Sequence, residues 1–111
     1  MDTIKKYTDH QTDLAALLDA LSHPARLQIV EHLALYKECP AGKISEKLPL
    51  SKSTVSQHMT KLKEAGLITC SPYGICQHYE LNDEKVVGAI EALQAFLKTI
   101  SEKQDKKKCC E

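Results

Sequence analysis

The stretch Leu48-Pro-Leu-Ser-Lys-Ser-Thr-Val-Ser-Gln-His-Met-Thr-Lys-Leu-Lys-Glu-Ala-Gly-Leu67 has the pattern of an amphipathic helix with a signal at each end. Ser51 stands at the N-cap position, where a serine hydroxyl accepts a hydrogen bond from a free helix N–H. One apolar stripe recurs at i, i+4 and i+7, formed by Val55, Met59 and Leu62. Gly66 follows the last turn, where a left-handed residue commonly ends a helix. The stretch therefore predicts a helix over residues 51–65 that packs by one face.

The opposite face of this helix carries short hydrogen-bonding side chains and a cation. They are Ser53, Thr54, Ser56, Gln57, Thr60 and Lys61. Such side chains bond to base edges, and lysine pairs with phosphate. We expect Ser51, Lys52 and His58 to flank this DNA-reading face. A polar outer face is also typical of any surface helix, so the neighbouring segments must decide between the two interpretations.

Three helical patterns precede this helix. The first has leucines at i, i+3, i+4 and i+7: Leu14, Leu17, Leu18 and Leu21. Pro24 fits the first turn of the second, where its missing N–H costs nothing. Cys39-Pro40 is predicted to begin a third, short helix that ends at Pro49. A short helix, a tight link and a longer helix make the helix-turn-helix layout.

A hairpin and a final helix are predicted after Gly66, where the apolar period changes to two. Ser71-Pro72-Tyr73-Gly74 has the type I turn pattern, with Gly74 in the left-handed position of a three-residue loop. We expect this hairpin to be a wing that brings Tyr73 to the DNA. The last helix, capped by Asn82-Asp83, has a long apolar stripe of Val86, Ile90, Leu93, Leu97 and Ile100.

The predicted fold is thus mainly α with a small β-hairpin: four helices, two strands and a fifth helix, a winged helix-turn-helix. Residues 1–103 would form this domain, and residues 104–111 a flexible tail rich in lysine and cysteine. At 111 residues the chain is long enough for one domain. Its formal net charge is zero, but residues 51–63 carry three lysines and no acid, which concentrates positive charge on the reading helix.

Composition also excludes several classes. The chain has no apolar run of membrane-helix length and no signal-peptide core at its N-terminus, so we expect a cytoplasmic protein. Its five cysteines are then expected to be reduced thiols, and without a Cys-x-x-Cys pair they predict no structural zinc site. A glycine-rich phosphate loop and a nucleophile elbow are both missing from the sequence, so no enzyme and no required cofactor are predicted.

At this point the sequence resembles the arsenic-repressor (ArsR/SmtB-type) winged-helix family. The matching runs are Ala20-Leu-Ser-His-Pro-Ala-Arg-Leu-Gln-Ile-Val30, Leu50-Ser-Lys-Ser-Thr-Val-Ser-Gln-His-Met59, Leu62-Lys-Glu-Ala-Gly-Leu-Ile68 and His78-Tyr-Glu-Leu81. The resemblance implies a dimeric repressor on a palindromic double-stranded operator, released by a metal ion, metalloid or oxidant. It also implies an interface between first and last helices, here assigned to Leu14, Leu17, Leu18, Ile90, Leu93 and Leu97.

The sensors typical of this family do not carry over. The metalloid-binding relatives have Cys-x-Cys at the start of the third helix, where this chain has Cys39 alone. Zinc-binding relatives use Asp and His on the last helix, yet residues 83–100 contain no histidine. The cysteine that redox-sensing relatives place in the second helix is Glu31 in this chain.

Two other groups of cysteines are candidate sensors. Cys109-Cys110 is a vicinal pair beside three lysines, and nearby positive charge favours the thiolate that binds soft ions. Arsenite or another soft metal is therefore the expected inducer. In the hairpin, a loop of residues 72–74 would set Cys70 opposite Cys76, with His78 on the same face.

Other interpretations remain open at this stage. In one alternative the tail holds no ligand, and small buried cysteines more commonly just pack. The regulator would then be redox-responsive or constitutive. A helical dimer adaptor that binds no DNA would explain the helices, but not the polar face followed by a wing.

Overall fold

The computed structural model describes residues 6–36, 39–73, 76–102 and 107–109, except for the side chains of residues 41, 73 and 76. This part of the chain folds into five helices and one three-stranded sheet. In chain order the elements are α1 (Asp9–Ala20), α2 (Pro24–Leu35), β1 (Cys39–Pro40), α3 (Ala41–Lys47), α4 (Lys52–Glu64), β2 (Ile68–Tyr73), β3 (Cys76–Leu81) and α5 (Asp83–Ser101).

The first two helices begin at caps that the local sequence provides. Thr8 and Gln11 form a capping box, in which each backbone N–H donates to the other side chain at 3.1 Å. Pro24 opens α2 as predicted, and His23 precedes it as the N-cap residue. The Nδ1 atom of His23 accepts from the backbone N–H of Ala25 at 3.0 Å, which satisfies a free donor of the first turn.

The prediction that Cys39-Pro40 begins a helix is wrong. These two residues form β1, which pairs antiparallel with β3 through Cys39–Tyr79 and Pro40–His78. The physical reason is local, because a proline keeps the preceding residue in the extended region. The helix begins only at Ala41, and the sheet order is β1-β3-β2.

The predicted hairpin register is also wrong. The ladder continues to the pair Tyr73–Cys76, so that only residues 74 and 75 separate β2 from β3. Pro72 lies within β2, where it is tolerated because β2 is an edge strand. Cys70 therefore lies opposite Tyr79, and not opposite Cys76.

The core lies where α2, α3, α4 and the start of the wing meet. Its most deeply buried large side chains are Ile29, Ile44, Val55, Met59, Leu62 and Ile68. All three residues of the predicted α4 stripe are among them, so the orientation of α4 predicted from the sequence is confirmed.

The end of α4 is fixed by Gly66, whose φ of 79° lies in the left-handed region. Gly66 N–H donates to Lys63 O at 2.9 Å and Leu67 N–H donates to Leu62 O at 3.1 Å, the two bonds of a Schellman cap. The carbonyl of Leu67 then accepts from the backbone N–H of Asn82 at 2.9 Å. Since Asn82 caps α5, the end of α4, the start of β2 and the start of α5 are joined at one point.

The last helix differs from the others because none of its residues is buried. Its large exposed apolar side chains are Val87, Ile90, Phe96, Leu97 and Ile100. Among the helices of the described ranges, none is both long enough and apolar enough to cross a membrane.

Candidate nucleic-acid interface

The N-terminus of α4 is held by a hydroxyl cluster. Ser51 Oγ accepts from the backbone N–H of Thr54 at 3.2 Å, lies 2.8 Å from Thr54 Oγ1 and 3.3 Å from Ser53 Oγ. Ser51 is thus the N-cap that its position in the sequence predicts. Because Ser51 and Thr54 bond to each other, their hydroxyls order the first turn of the helix that presents the remaining polar groups.

The outer face of α4 carries exposed polar side chains on a rigid element. Lys52, Ser53, Ser56, Gln57 and Lys61 are exposed, while the opposite stripe is buried. Within the described residues, neither Gln57 nor Lys61 has a side-chain hydrogen bond or an ion pair. An amide and an ammonium group without partners, one helical turn apart, are free to bind an external acceptor or donor.

The charge on this face is positive. Lys52, Lys61 and Lys63 lie on α4, and the first acid of the helix is Glu64 in its last turn. The hydrogen-bonding groups therefore lie among cations, which attract the phosphate groups of a nucleic acid.

His58, on the flank of α4, faces the protein interior with one ring nitrogen. Its Nδ1 lies 3.2 Å from Arg26 Nη1, and its ring centroid lies 4.4 Å from that of His23. The pKa of His58 is lowered by burial first and by its neighbours His23 and Arg26 second. At neutral pH His58 is thus uncharged, and since Arg26 is a donor only, Nδ1 is its acceptor.

Arg26 was not singled out by the sequence reasoning, which noted it only within the run Ala20–Val30. Its Nε donates to Ala20 O at 2.7 Å and its Nη2 to Asp19 O at 3.2 Å. These are carbonyls at the end of α1, a helix without a basic residue in its last turn. The available signal was that Arg26 is the only arginine of the sequence and stands in the first turn of the helix that Pro24 begins.

The wing follows directly from α4 and exposes Ser71, Pro72 and Gln77. The backbone of Tyr73 ends β2, at the tip of the hairpin, and its side chain lies outside the described residues. The predicted placement of Tyr73 at the wing tip is therefore consistent with its backbone position.

The hairpin thiols do not form the predicted cluster. Cys70 donates to Gln77 Oε1 and lies beside Tyr79, whose pKa is raised by burial and by this thiol. His78 pairs with Ser71 in the register, so it lies on the other face from Cys70. Across the four described ranges, no group of three or more His, Cys, Asp or Glu residues could hold a metal ion.

The remaining thiols lie in different environments. Cys39 is buried, with its Sγ 3.3 Å from His32 Nε2, and burial raises its pKa in spite of Lys43 and Lys47. Cys109 is exposed beside Lys107 and Lys108. Cys110 and residues 104–106 and 111 of the predicted flexible tail lie outside the described residues, as does residue 103 before it.

The predicted dimer residues divide into two sets. Leu18, Ile90 and Leu97 are 41%, 50% and 50% exposed, and Leu17 and Leu93 are half-buried. Leu14 is only 6% exposed in the single protomer. It lines a cleft between α1, the end of α4 and α5 of its own protomer, so it offers little surface to a partner, and its place in an interface stays a prediction.

A capped helix-turn-helix with a cationic outer face and a following wing defines the class of DNA-binding winged-helix proteins. A helix-turn-helix domain model matches residues 21–71. The chain is 37% identical over 81 residues to the transcriptional repressor PagR of Bacillus anthracis, covering 73% of this chain and 81% of that protein. It is 33% identical over 96 residues to an arsenical resistance operon repressor of Bacillus subtilis, covering 82% and 84%.

The fold is shared with an ArsR-like transcriptional regulator from Rhodococcus sp. RHA1, at a TM-score of 0.74 and 20% identity over 85% of this chain and 88% of that one. The chain belongs to the ArsR-type winged helix-turn-helix family of transcriptional regulators. It is accordingly a regulator that binds double-stranded DNA, and not an enzyme.

Proposed function

We propose that this protein is a dimeric repressor that occupies a palindromic operator with α4 and leaves it when a thiol-reactive inducer arrives. The observation that carries the proposal is the outer face of α4. Gln57 and Lys61 are exposed there and have no partner among the described residues. The opposite face of the helix is buried in the core. A second copy of the chain would place a second α4 about one helical turn of DNA away.

The DNA contacts follow from the chemistry and position of each side chain. Ser53, Ser56 and Gln57 are assigned to the groove, where Gln57 can bond an adenine edge in a bidentate way. Thr54 is assigned there too, because its hydroxyl accepts from Ser51 and can still donate to the DNA. Lys52 and Lys61 are assigned to phosphates. The flanking residue Ser51 would border the backbone, and Tyr73 on the wing would reach an adjacent groove or the backbone. His58, the other flanking residue, has its Nδ1 turned to Arg26.

The dimer is supported by the exposed apolar side chains of α5. Ile90 and Leu97 are half exposed on a helix with no buried residue, and Leu18 on the neighbouring α1 is exposed as well. An apolar surface of this length on a small domain favours a partner surface. We therefore assign the interface to α1 and α5, with Leu18, Ile90 and Leu97 at its centre and Leu17 and Leu93 at its edge.

The inducer is proposed to act on thiols. Cys109 is exposed among lysines, and with Cys110 it would supply two adjacent thiolates, which soft ions such as trivalent arsenic prefer. Two similar proteins are named as arsenical resistance operon repressors. Since the tail continues from α5, ligation there would act on the proposed interface, and the ligand must favour the dimer that binds DNA weakly.

Anisotropy on a fluorescent duplex, selected from a random pool with the wild-type protein, tests DNA reading. Gln57→Ala should lower affinity for this duplex by about 1–3 kcal/mol and relax discrimination at one base pair. Gln28→Ala, an exposed glutamine on α2, is the matched control and should bind like wild type. Wild-type affinity in a Gln57→Ala/Lys61→Ala variant would show that α4 does not enter the groove.

The same duplex tests the inducer with arsenite, zinc, cadmium and peroxide in separate titrations. Arsenite should release the wild-type protein, whereas Cys109→Ser/Cys110→Ser should bind DNA equally well and ignore arsenite. A full arsenite response in that variant would remove the tail from the proposal. Release by peroxide alone would instead favour a redox-responsive regulator.

A further inference from the structure

Arg26 is the one described side chain whose hydrogen bonds join the end of α1 to the middle of α4. Its Nε and Nη2 donate to Ala20 O at 2.7 Å and Asp19 O at 3.2 Å, and its Nη1 reaches His58 Nδ1 at 3.2 Å. The guanidinium is planar and rigid, so three donors in fixed directions constrain the two helices relative to each other.

The end of α1 fixes the guanidinium mainly through the carbonyl of Ala20, which accepts from Arg26 Nε at 2.7 Å. The carbonyl of Asp19 also accepts from the backbone N–H and the hydroxyl of Ser22, at 3.2 and 2.7 Å. The last carbonyls of a helix have no partner within it, and α1 has no basic residue in its last turn. A cation at this end also offsets the negative end of the helix dipole. Arg26 therefore has a structural reason to remain at α1, which leaves Nη1 to hold His58.

The acceptor on α4 is equally well defined. His58 is neutral at neutral pH because its pKa is lowered, and only an unprotonated Nδ1 can accept from an arginine. His23, the N-cap of α2, packs against the His58 ring at 4.4 Å between centroids and limits its rotation. The His58 position on α4 is thus fixed from two sides by the segment that follows α1.

We propose that Arg26 is a positioning residue for DNA recognition: through His58 it sets the angle of α4 relative to the end of α1, and hence the distance between the two reading helices of the dimer. This inference rests on the proposed dimeric DNA reader. It differs from a direct phosphate contact by His58, because here the atom that matters is Nδ1, which faces Arg26.

Three variants of His58 separate these possibilities by geometry. In His58→Asn the side-chain oxygen takes the place of Nδ1 and still accepts from Arg26. His58→Gln extends its amide toward the place of Nε2, as a DNA contact would require. His58→Leu has the branching of asparagine and no acceptor. Denaturant unfolding of each variant establishes that the domain remains folded.

The expected result is a loss with leucine and a rescue with asparagine. His58→Leu should bind the selected duplex about tenfold more weakly, the size of one hydrogen bond to a charged group. It should also lose discrimination against a duplex with one extra base pair between the half-sites. His58→Asn should retain both affinity and discrimination. A merely structural role would not alter the preferred spacing.

A double-mutant cycle assigns the effect to the Arg26–His58 pair. Lysine is a single-point donor and cannot reach all three acceptors, so Arg26→Lys should itself relax the spacing preference. Adding His58→Leu to Arg26→Lys should then weaken binding much less than it does in the wild type. Additive losses would overturn the proposal.

Two other outcomes would also overturn it. Rescue by His58→Gln but not by His58→Asn would show that His58 acts on the DNA itself. Wild-type binding and spacing preference in His58→Leu, while Gln57→Ala is impaired, would refute the positioning role and leave the proposed reading helix intact. If Gln57→Ala also bound like wild type, the reading helix and the positioning role would both fail.

Discussion

The helices α4 and α5 are both amphipathic, but the apolar face of α4 is buried in the protomer and that of α5 is largely exposed. The apolar stripe of α4 is closed into the core, with Val55 and Met59 2% exposed and Leu62 not exposed. On α5 no residue is buried, and Ile90 and Leu97 are each half exposed. The difference shows that the apolar face of α4 is buried within one chain, whereas most of the apolar face of α5 remains exposed.

The largest effect is expected from the buried side of this comparison. Leu62→Ala removes a fully buried side chain at the end of α4 and should lower the free energy of unfolding by about 2–5 kcal/mol, because it leaves a cavity. Denaturant unfolding measures it. Thr60→Ala, an exposed neighbour on the same helix, is the control and should change stability by about 0.5 kcal/mol or less. Equal losses would show that the two faces of α4 are not distinct.

The exposed apolar face of α5 predicts that charged substitutions there lower the molecular mass in solution. Ile90→Glu/Leu97→Glu places two charges on the apolar face of α5, where they would be buried without partners in a dimer. Light scattering should give the mass of a single chain, with the helical circular dichroism retained. Ala95→Glu/Thr99→Glu adds the same charge at exposed positions on the opposite face of α5 and should remain dimeric. An unchanged mass in the first variant would place the interface on another surface.

A smaller effect is expected from the cationic face of α4. Lys61→Ala should weaken binding to specific and random duplexes alike and reduce the slope of log affinity against log salt by about one unit, since one phosphate contact is lost. Anisotropy at a series of salt concentrations measures this slope. Lys43→Ala on α3, whose ammonium lies 3.5 Å from Glu46, is the control and should keep the wild-type slope. A slope unchanged in Lys61→Ala would place Lys61 away from the phosphates.

The smallest effect concerns acid stability. Because the pKa of His58 is lowered in the fold, the unfolded chain takes up a proton first as pH falls below about 6.5. His58 therefore adds a loss of stability between this value and its own lowered pKa, and none above it. Unfolding at pH 7.5 and 5.5 should show a smaller acid loss in His58→Asn than in wild type. An equal loss of stability in both proteins would mean that the pKa of His58 is not lowered in the folded protein.

Local patterns predicted the helix-turn-helix well, and long-range contacts explain what they missed. The boundaries, the cap and the apolar stripe of α4 all depend on the sixteen residues from Ser51 to Gly66, so both end signals could be assigned directly. The hairpin register could not, because Ser71–Gly74 fits a turn locally, while the edge position of β2 lets Pro72 remain in the strand. Arg26 was missed because its partner His58 is 32 residues away.

The Schellman cap at Gly66 has a consequence for how this regulator can change over time. Its backbone joins the ends of α4, β2 and α5 within a few bonds, and a Cβ added at Gly66 would approach the Lys85 side chain at 3.2 Å. A residue inserted there would displace α4, β2 and α5 together, whereas a residue inserted between Tyr73 and Cys76 would lengthen only the connection between β2 and β3. Insertions or deletions between β2 and β3 are therefore expected to leave the position of α4 unchanged during evolution, whereas insertions at Gly66 are not.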